Sequence, residues 1–173
     1  ATNKAIGLGI NVLVFDSGLA KDGRLCNLLP SSNALIGETL VKMAVDAVGD
    51  NGESAVLSAT AQATNQNAWI EEMKKVLAKP EYKDLKLVTV AYGDDQTDKS
   101  YREAQGLFKS YPNLKAIIAP TTVGIAAASK AVQDANLIGK VYVTGLGLPS
   151  EMAGHVKSGA VKSFAIWNPI DLG

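Results

Sequence analysis

Short apolar runs alternate with segments of helical period along most of this 173-residue chain. The runs are rich in valine and isoleucine without strict polar alternation, which is typical of strands that are buried on both faces. The expected strands are Asn11–Phe15, Ser54–Ser58, Leu85–Ala91, Leu114–Ala119, Lys140–Thr144 and Lys162–Trp167. The expected helices cover about 33–48, 65–78, 98–111, 123–135 and 149–158. Right-handed crossovers between such strands predict an α/β fold, with a doubly wound parallel sheet and helices on both of its faces.

Residues at the segment boundaries agree with this alternation. Ser32 and Thr64 are suited to be N-caps, and Pro149 suits the first turn of a helix. Gly139 and Gly159 stand where a helix gives way to a strand, which is a common position for glycine. The sequence therefore predicts where helices begin and end as well as their number.

Composition excludes several classes of function. Lys and Arg together number 17, as do Asp and Glu, so the formal net charge is zero. No basic stripe is visible, which argues against nucleic acid as a partner. The one cysteine, Cys26, cannot form an internal disulfide, and we expect its thiol to be partly buried. One cysteine and one histidine cannot build a zinc site, so no metal is expected.

We find no set of residues that predicts catalysis. The segment Gly145–Pro149 (GLGLP) follows a strand and opens a helix, but it lacks the third glycine of a dinucleotide loop. His155 has no partner placed for acid–base work, and neither a P-loop nor a nucleophile elbow is present. The protein is therefore expected not to be an enzyme and to need no cofactor.

The carboxyl ends of the predicted strands indicate a binding site. In open parallel sheets, ligands bind where strands lead into helix N-termini. The loops there offer amides, hydroxyls, an indole and few charges, without lysine or arginine, which phosphate or carboxylate ligands usually require. The loops are Phe15–Ser17, Thr60–Gln66, Tyr92–Thr97, Pro120–Thr122, Gly145–Pro149 and Trp167–Pro169. This chemistry favours a neutral ligand with many hydroxyl groups.

Several of these residues have simpler explanations. Asp16 could hold two adjacent hydroxyls, but an aspartate that caps a turn is equally consistent with its position. Asn65 and Gln66 could be no more than the first turn of a helix. Trp69 lies one turn inside that helix, where a core position is the better interpretation. The three aspartates Asp94, Asp95 and Asp98 lack the glycine and glutamate of a calcium loop, so they are interpreted as a solvated helix start.

Three stretches of the chain are distinctive: Ser58–Lys75 (SATAQATNQNAWIEEMKK), Tyr92–Ala128 and Phe164–Gly173 (FAIWNPIDLG). They resemble the type I periplasmic sugar-binding proteins of ABC importers. The similarity is greatest to the rhamnose-binding and autoinducer-binding branch, and Phe15–Gly18 (FDSG) resembles the ligand aspartate of that family. The stretch Leu25–Pro30 departs from the family pattern.

The resemblance implies a division into lobes and a set of ligand residues. Residues 1–30 would be the end of a first lobe that is largely missing, residues 31–167 a complete second lobe, and residues 168–173 a hinge strand that returns to the first lobe. The implied ligand residues are Asp16, Asn65, Gln66, Pro120, Thr121, Thr122, Trp167 and Asn168.

The function implied by the resemblance is capture of a neutral monosaccharide between two lobes and its delivery to the membrane subunits of an ABC importer. Such a receptor would be periplasmic and a monomer when full length. Autoinducer-binding members have aspartate at the position of Asn65 and alanine at that of Thr122, which favours a plain or deoxy sugar. A furanone-binding receptor and the sugar-sensing effector domain of a transcription regulator are the alternatives.

Overall fold

A computed structural model describes residues 1–82 and 84–172. Two parallel sheets are present among these residues. The N-terminal part comprises α1 (Thr2–Gly7), β1 (Leu13–Phe15), a 3-10 turn (Lys21–Gly23) and β2 (Cys26–Leu28). The remainder comprises α2 (Asn33–Val48), β3 (Gly52–Ser58), α3 (Thr64–Leu77), β4 (Leu85–Tyr92), α4 (Thr97–Ser110), β5 (Leu114–Ala119), α5 (Thr122–Asp134), β6 (Tyr142–Gly145), α6 (Pro149–Ser158) and α7 (Pro169–Leu172).

The larger sheet has the strand order β4-β3-β5-β6, and all of its neighbouring strands are parallel. The chain crosses over β3 on its way from β4 to β5, so the strand order changes direction between β3 and β5. That crevice is where open α/β sheets bind ligands. The prediction of a parallel α/β fold is confirmed.

Each central strand of this sheet contributes to two hydrophobic cores. On β3, Leu57 packs into the core formed with α4, α5 and α6, while its neighbour Val56 packs into the core formed with α2 and α3. On β5, Ile117 and Ile118 divide in the same way. Because successive side chains of a strand point to opposite faces, a strand covered on both sides needs an unbroken apolar run. This explains the runs that the sequence shows.

The helix boundaries are mostly as expected. The Ser32 hydroxyl accepts a 3.1 Å hydrogen bond from the Leu35 amide, Pro149 lies in the first turn of α6, and Gly159 ends α6 with φ +85°. The prediction that Thr64 is the N-cap of α3 is wrong. Ala63 holds that position, and the Thr64 hydroxyl instead donates to the Gly18 carbonyl at 3.1 Å.

The expected strand Lys162–Trp167 is also wrong. Only Val161 and Ala165 form isolated parallel bridges to β6 and the residue after it. The register shifts by one residue between the two bridges, from Val143–Val161 to Leu146–Ala165, and there the Ser163 carbonyl accepts from the Thr144 hydroxyl at 3.0 Å. The segment therefore runs beside the sheet without joining it as a regular strand.

The smaller sheet is short and incompletely covered. Strands β1 and β2 pair over three residues each, and β1 is shorter than the expected Asn11–Phe15. Leu13 and Phe15 are 71% and 68% exposed. Cys26, expected to be partly buried, is exposed because its strand has no cover on that side. No helix among residues 1–82 and 84–172 is long and apolar enough to cross a membrane.

Candidate functional site

A cavity of about 160 Å³ lies at the carboxyl edge of the larger sheet, beside the point where the strand order changes direction. The loops after β3, β4, β5 and β6 all contribute to it, together with the segment that follows α6. The lining residues are Asn65, Gln66, Trp69, Asp95, Pro120, Thr121, Thr122, Leu146 and Trp167. Six of the eight residues that the sequence singled out line this one cavity; Asp16 and Asn168 do not.

Gln66 connects the site to the sheet beneath it. Its side-chain oxygen accepts two buried hydrogen bonds, from the Ser58 hydroxyl at 2.7 Å and from the Ala59 amide at 2.8 Å. Both donors lie at the end of β3, so Gln66 fixes the start of α3 against that strand. Because the oxygen is occupied, the amide NH₂ is the group through which Gln66 can serve a ligand.

Asn65 is held by its own helix. Its side-chain oxygen accepts a 2.8 Å hydrogen bond from the backbone amide of Gln66. The NH₂ group of Asn65 is therefore also the part of that side chain available to donate. Asn65 additionally lines a second cavity, of about 450 Å³, which extends from α3 toward Gly18 and Asn27. The two cavities meet at this residue.

The loop after β5 supplies a hydroxyl and a helix start. Thr121 is 6% exposed, and its hydroxyl donates to the carboxylate of Asp95 in the loop after β4. Thr122 is the first residue of α5, and Pro120 is buried beside it. These three residues place a hydroxyl pair and a proline ring at the opening of a helix.

Trp167 provides the apolar wall. The centroid of its ring lies 5.8 Å from that of the Trp69 ring, and the two ring planes meet edge to face at an angle of 65°. Trp69 is only 2% exposed and donates from its indole nitrogen to the Asn33 side-chain oxygen at 3.1 Å. The core position expected for Trp69 is confirmed, although the ring also forms part of the cavity floor.

Asp16 lies in the N-terminal part, at the end of β1. Its backbone has φ +68°, which is uncommon for a residue with a side chain, and its amide donates to the Leu28 carbonyl at 2.8 Å. One carboxylate oxygen, Oδ1, is buried without a hydrogen-bond partner among the described residues. The turn explanation offered for Asp16 covers its backbone conformation but leaves this buried oxygen unexplained.

Asn168 is exposed and belongs to a turn. Its side-chain oxygen accepts from the Ile170 amide at 3.1 Å, and its NH₂ group donates to Asp171 at 2.9 Å. The hinge strand expected over residues 168–173 is not found, because Pro169–Leu172 is helical. An asparagine followed by proline favours exactly such a start, with the amide oxygen capping and proline in the first turn. Gly173 lies outside the described residues.

The sequence missed two lining residues, Asp95 and Leu146. Asp95 belongs to the loop Tyr92–Thr97, which was identified as part of the binding edge, but the aspartates there were interpreted only as a solvated helix start. Asp94 and Asp95 both have positive φ values, of +52° and +53°. This left-handed pair reverses the chain and directs Asp95 toward Thr121, a turn that consecutive aspartates do not reveal in sequence.

A larger cavity, of about 660 Å³, lies elsewhere, between α4, α5 and α6. Lys130 and Asp134 both line it. The hydrogen bond from Lys130 to Asp134 lowers the pKa of Asp134, and a hydrogen bond from Tyr101 lowers it further. The bond to Asp134 in turn raises the pKa of Tyr101. His155 accepts or donates at 3.1 Å with Gln133, and burial lowers its pKa, helped by the charge of Lys130. This cavity is charged and lies away from the strand-order switch, so the smaller cavity is the better candidate site.

A parallel α/β sheet is typical of the solute-binding receptors when the carboxyl ends of its strands surround a polar cavity, here with one carboxylate and no basic residue. A family model described as "Periplasmic binding protein domain" matches residues 1–173. The chain therefore belongs to the periplasmic binding protein family.

Three solved structures illustrate the relation. An ABC transporter solute-binding protein from Clostridium phytofermentas, solved with bound L-rhamnose, is 42% identical with a TM-score of 0.95, over 99% of this chain and 54% of that one. A sugar ABC transporter protein from Actinomyces odontolyticus is 44% identical with a TM-score of 0.82, over 99% and 55%. A solute-binding protein from Burkholderia graminis, in complex with D-arabinose, is 27% identical with a TM-score of 0.87, over 99% and 59%. The chain thus spans about half the length of these relatives.

Proposed function

We propose that the protein is a periplasmic receptor that captures a neutral sugar and delivers it to the membrane subunits of an ABC importer. The sugar would bind in the cavity lined by Asn65, Thr122 and Trp167, which we call the Trp167 cavity. L-Rhamnose, or a monosaccharide like it, is the first candidate ligand. The proposal depends above all on one observation: the cavity combines amide and hydroxyl groups with an indole wall, and neither lysine nor arginine lines it. It is supported by the 42% identity to a relative solved with L-rhamnose.

The available groups suit the hydroxyls of a sugar. The NH₂ groups of Asn65 and Gln66 can donate to sugar oxygens, and the carboxylate of Asp95 can accept from sugar hydroxyls. The indole of Trp167 offers a flat apolar surface for the carbon-bearing face of a pyranose ring. A phosphate or carboxylate ligand would instead be desolvated beside Asp95, and no lysine or arginine lines this cavity to compensate its charge; Arg24 lines the adjoining cavity.

The proposal includes a second wall for the site. A cavity of about 160 Å³ is smaller than the roughly 300–1,000 Å³ typical of pockets that enclose a ligand. Since the relatives are about twice as long, we propose that residues 31–167 form one lobe, that residues 1–30 belong to the other, and that the sugar is held between them. Asp16 would then approach the sugar from the far side. This role requires its Oδ1, which is buried and unpartnered in the unliganded chain, to become accessible to the sugar when the site closes.

Titration calorimetry tests the proposal. The natural protein that contains these 173 residues is titrated with L-rhamnose, D-arabinose, the autoinducer furanone and a sugar phosphate. We expect saturable binding of a neutral monosaccharide, at least about a hundredfold tighter than the sugar phosphate, which corresponds to about 2.7 kcal/mol. Preferred binding of the phosphate would contradict the proposal. Preferred binding of the furanone would replace the sugar with an autoinducer, an outcome that Asn65 and Thr122 argue against because the autoinducer branch has other residues there.

A further inference from the structure

We infer that Asp95 determines the ligand selectivity of the site: its carboxylate accepts a hydroxyl of a neutral sugar and excludes anionic sugars. The inference deepens the proposed function and rests on it. Asp95 lines the same cavity as Asn65 and Trp167. It comes from the loop after β4, which is an edge strand of the sheet.

The loop that carries Asp95 is firmly attached to the neighbouring strand. The Gly93 amide donates to the Ser58 carbonyl at 2.9 Å, and the Asp94 amide donates to the Ala59 carbonyl at 2.7 Å. Both acceptors lie where β3 ends. Gly93 has no room for a side chain, because a Cβ there would collide with Ser100. The position of Asp95 is therefore set by the sheet edge.

The two aspartates of this loop contact different partners. The Asp94 carboxylate turns outward and accepts a 2.6 Å ion-paired hydrogen bond from Lys99. The Asp95 carboxylate turns inward, and its Oδ1 accepts from the buried Thr121 hydroxyl. That bond leaves Oδ2 to accept from a ligand. Hydrogen bonds to charged groups are stronger than neutral ones, so one such contact contributes substantially to affinity.

The charge of Asp95 is not balanced within the cavity. It is the one carboxylate among the nine lining residues, and none of the nine is basic. Asp95 is exposed in the unliganded chain, so a ligand carboxylate or phosphate bound beside it would meet a like charge, and the Coulomb repulsion would grow as binding displaces water. The same carboxylate attracts hydroxyl protons. One side chain thus serves both affinity and exclusion.

Two substitutions remove the charge while respecting the backbone. Asp95→Asn keeps an oxygen for Thr121, and asparagine tolerates a positive φ. Asp95→Gly removes the side chain altogether, and glycine is unstrained at φ +53°. Asp98→Asn is the matched control, because Asp98 is exposed in the first turn of α4 and does not line the cavity.

The experiment measures the affinities of the natural protein and these variants for L-rhamnose and D-glucuronate by titration calorimetry, with thermal unfolding as a check on folding. We expect both Asp95 variants to bind L-rhamnose about tenfold or more weakly, with a fall in the ratio of rhamnose to glucuronate affinity, and Asp98→Asn to match the unmodified protein. Should one Asp95 variant fail to fold, the other gives the result.

Two results would overturn the inference in distinguishable ways. If the unmodified protein binds L-rhamnose and a folded Asp95 variant binds it equally well with the same ratio, Asp95 has no selective role, and the proposed function stands. If the unmodified protein binds no neutral sugar at all, the proposed function fails, and the inference about Asp95 fails with it.

Discussion

At the scale of single residues, the site separates groups that hold the fold from groups that are free to meet a ligand. The side-chain oxygens of Asn65 and Gln66 are both occupied by hydrogen bonds to backbone or hydroxyl donors. Their NH₂ groups remain for the cavity. The two side-chain amides therefore present donors of fixed direction, so little conformational entropy is lost in ordering them when a ligand binds.

The first prediction concerns Gln66. Gln66→Ala removes the acceptor of two buried hydrogen bonds and leaves the Ser58 hydroxyl and the Ala59 amide unsatisfied. Because each such group costs about 1–3 kcal/mol, we expect the free energy of unfolding to fall by about 2–4 kcal/mol, measured by urea denaturation. Gln62→Ala, in the exposed loop before α3, should change it little. Equal stabilities of the two variants would contradict this role for Gln66.

The second prediction concerns Asp16. Its positive φ and its buried, unpartnered carboxylate oxygen both oppose folding of the unliganded chain. Asp16→Asn removes the charge, and we expect the free energy of unfolding to be equal or higher, by up to about 1 kcal/mol. If Asp16 is a ligand residue, sugar affinity should fall roughly ten- to a hundredfold. Asp22→Asn, at an exposed aspartate that accepts from Asn3, is the control. A less stable variant with unchanged affinity would mean that Asp16 serves only the turn.

At the scale of elements, the strands β3 to β6 and the helices between them were predictable because each strand is covered on both faces. That condition produces unbroken apolar runs, and all four strands of the larger sheet are present at or near the expected positions. The expected strand β1 is also present, although its Leu13 and Phe15 are exposed. The run Lys162–Trp167 has the same composition but not the same pairing. Its register with β6 shifts by one residue between two isolated bridges, so no continuous ladder forms, and the composition of the run does not reveal such a shift.

The candidate site was predictable to the extent that it follows from strand ends. Asn65, Thr122 and Trp167 were found together because parallel strands finish at one edge of the sheet. Asp95 was missed because a left-handed turn, rather than a residue type, directs it inward. Residues 168–173 were assigned to a hinge strand through the family resemblance, although the Asn168–Pro169 pair favours the helix start that the structure shows.

The third prediction tests the close approach of β5 and β6 beside the site. Gly145 has φ +150°, and a Cβ there would collide with the backbone oxygen of Ala119. Gly145→Ala should lower the free energy of unfolding by about 3 kcal/mol. Gly154→Ala, in α6 with open space around the position, should raise it by about 0.5–1 kcal/mol. Thermal or urea denaturation measures both, and a tolerated Gly145→Ala would show that the strands can separate at this edge.

At the scale of the whole molecule, the charged groups and the candidate site lie in different places. Lys130, Asp134 and Tyr101 form a hydrogen-bonded group between the helices, with His155 nearby. The Trp167 cavity at the sheet edge holds one carboxylate. A change of pH near neutrality should therefore act on the helix layer through His155, whereas the side chains of Asn65 and Trp167 do not titrate.

The fourth prediction concerns that histidine. Burial, together with the charge of Lys130, lowers its pKa below 6.5 in the folded chain. Because the unfolded chain then takes up the proton first, the free energy of unfolding should fall as the pH drops through 6.5 and level off below the folded pKa. The chain has one histidine, so proton NMR of its imidazole reads the folded pKa directly. A midpoint at or above 6.5 would contradict the buried setting, and His155→Gln should reduce the pH dependence of stability in this range.

The most direct test of the central claim is a crystal structure of the natural protein with L-rhamnose. We expect sugar density beside the indole of Trp167, within hydrogen-bonding distance of the NH₂ groups of Asn65 and Gln66 and of the Asp95 carboxylate. Density for the sugar in the larger cavity between α4, α5 and α6, with the Trp167 cavity filled by water, would contradict it.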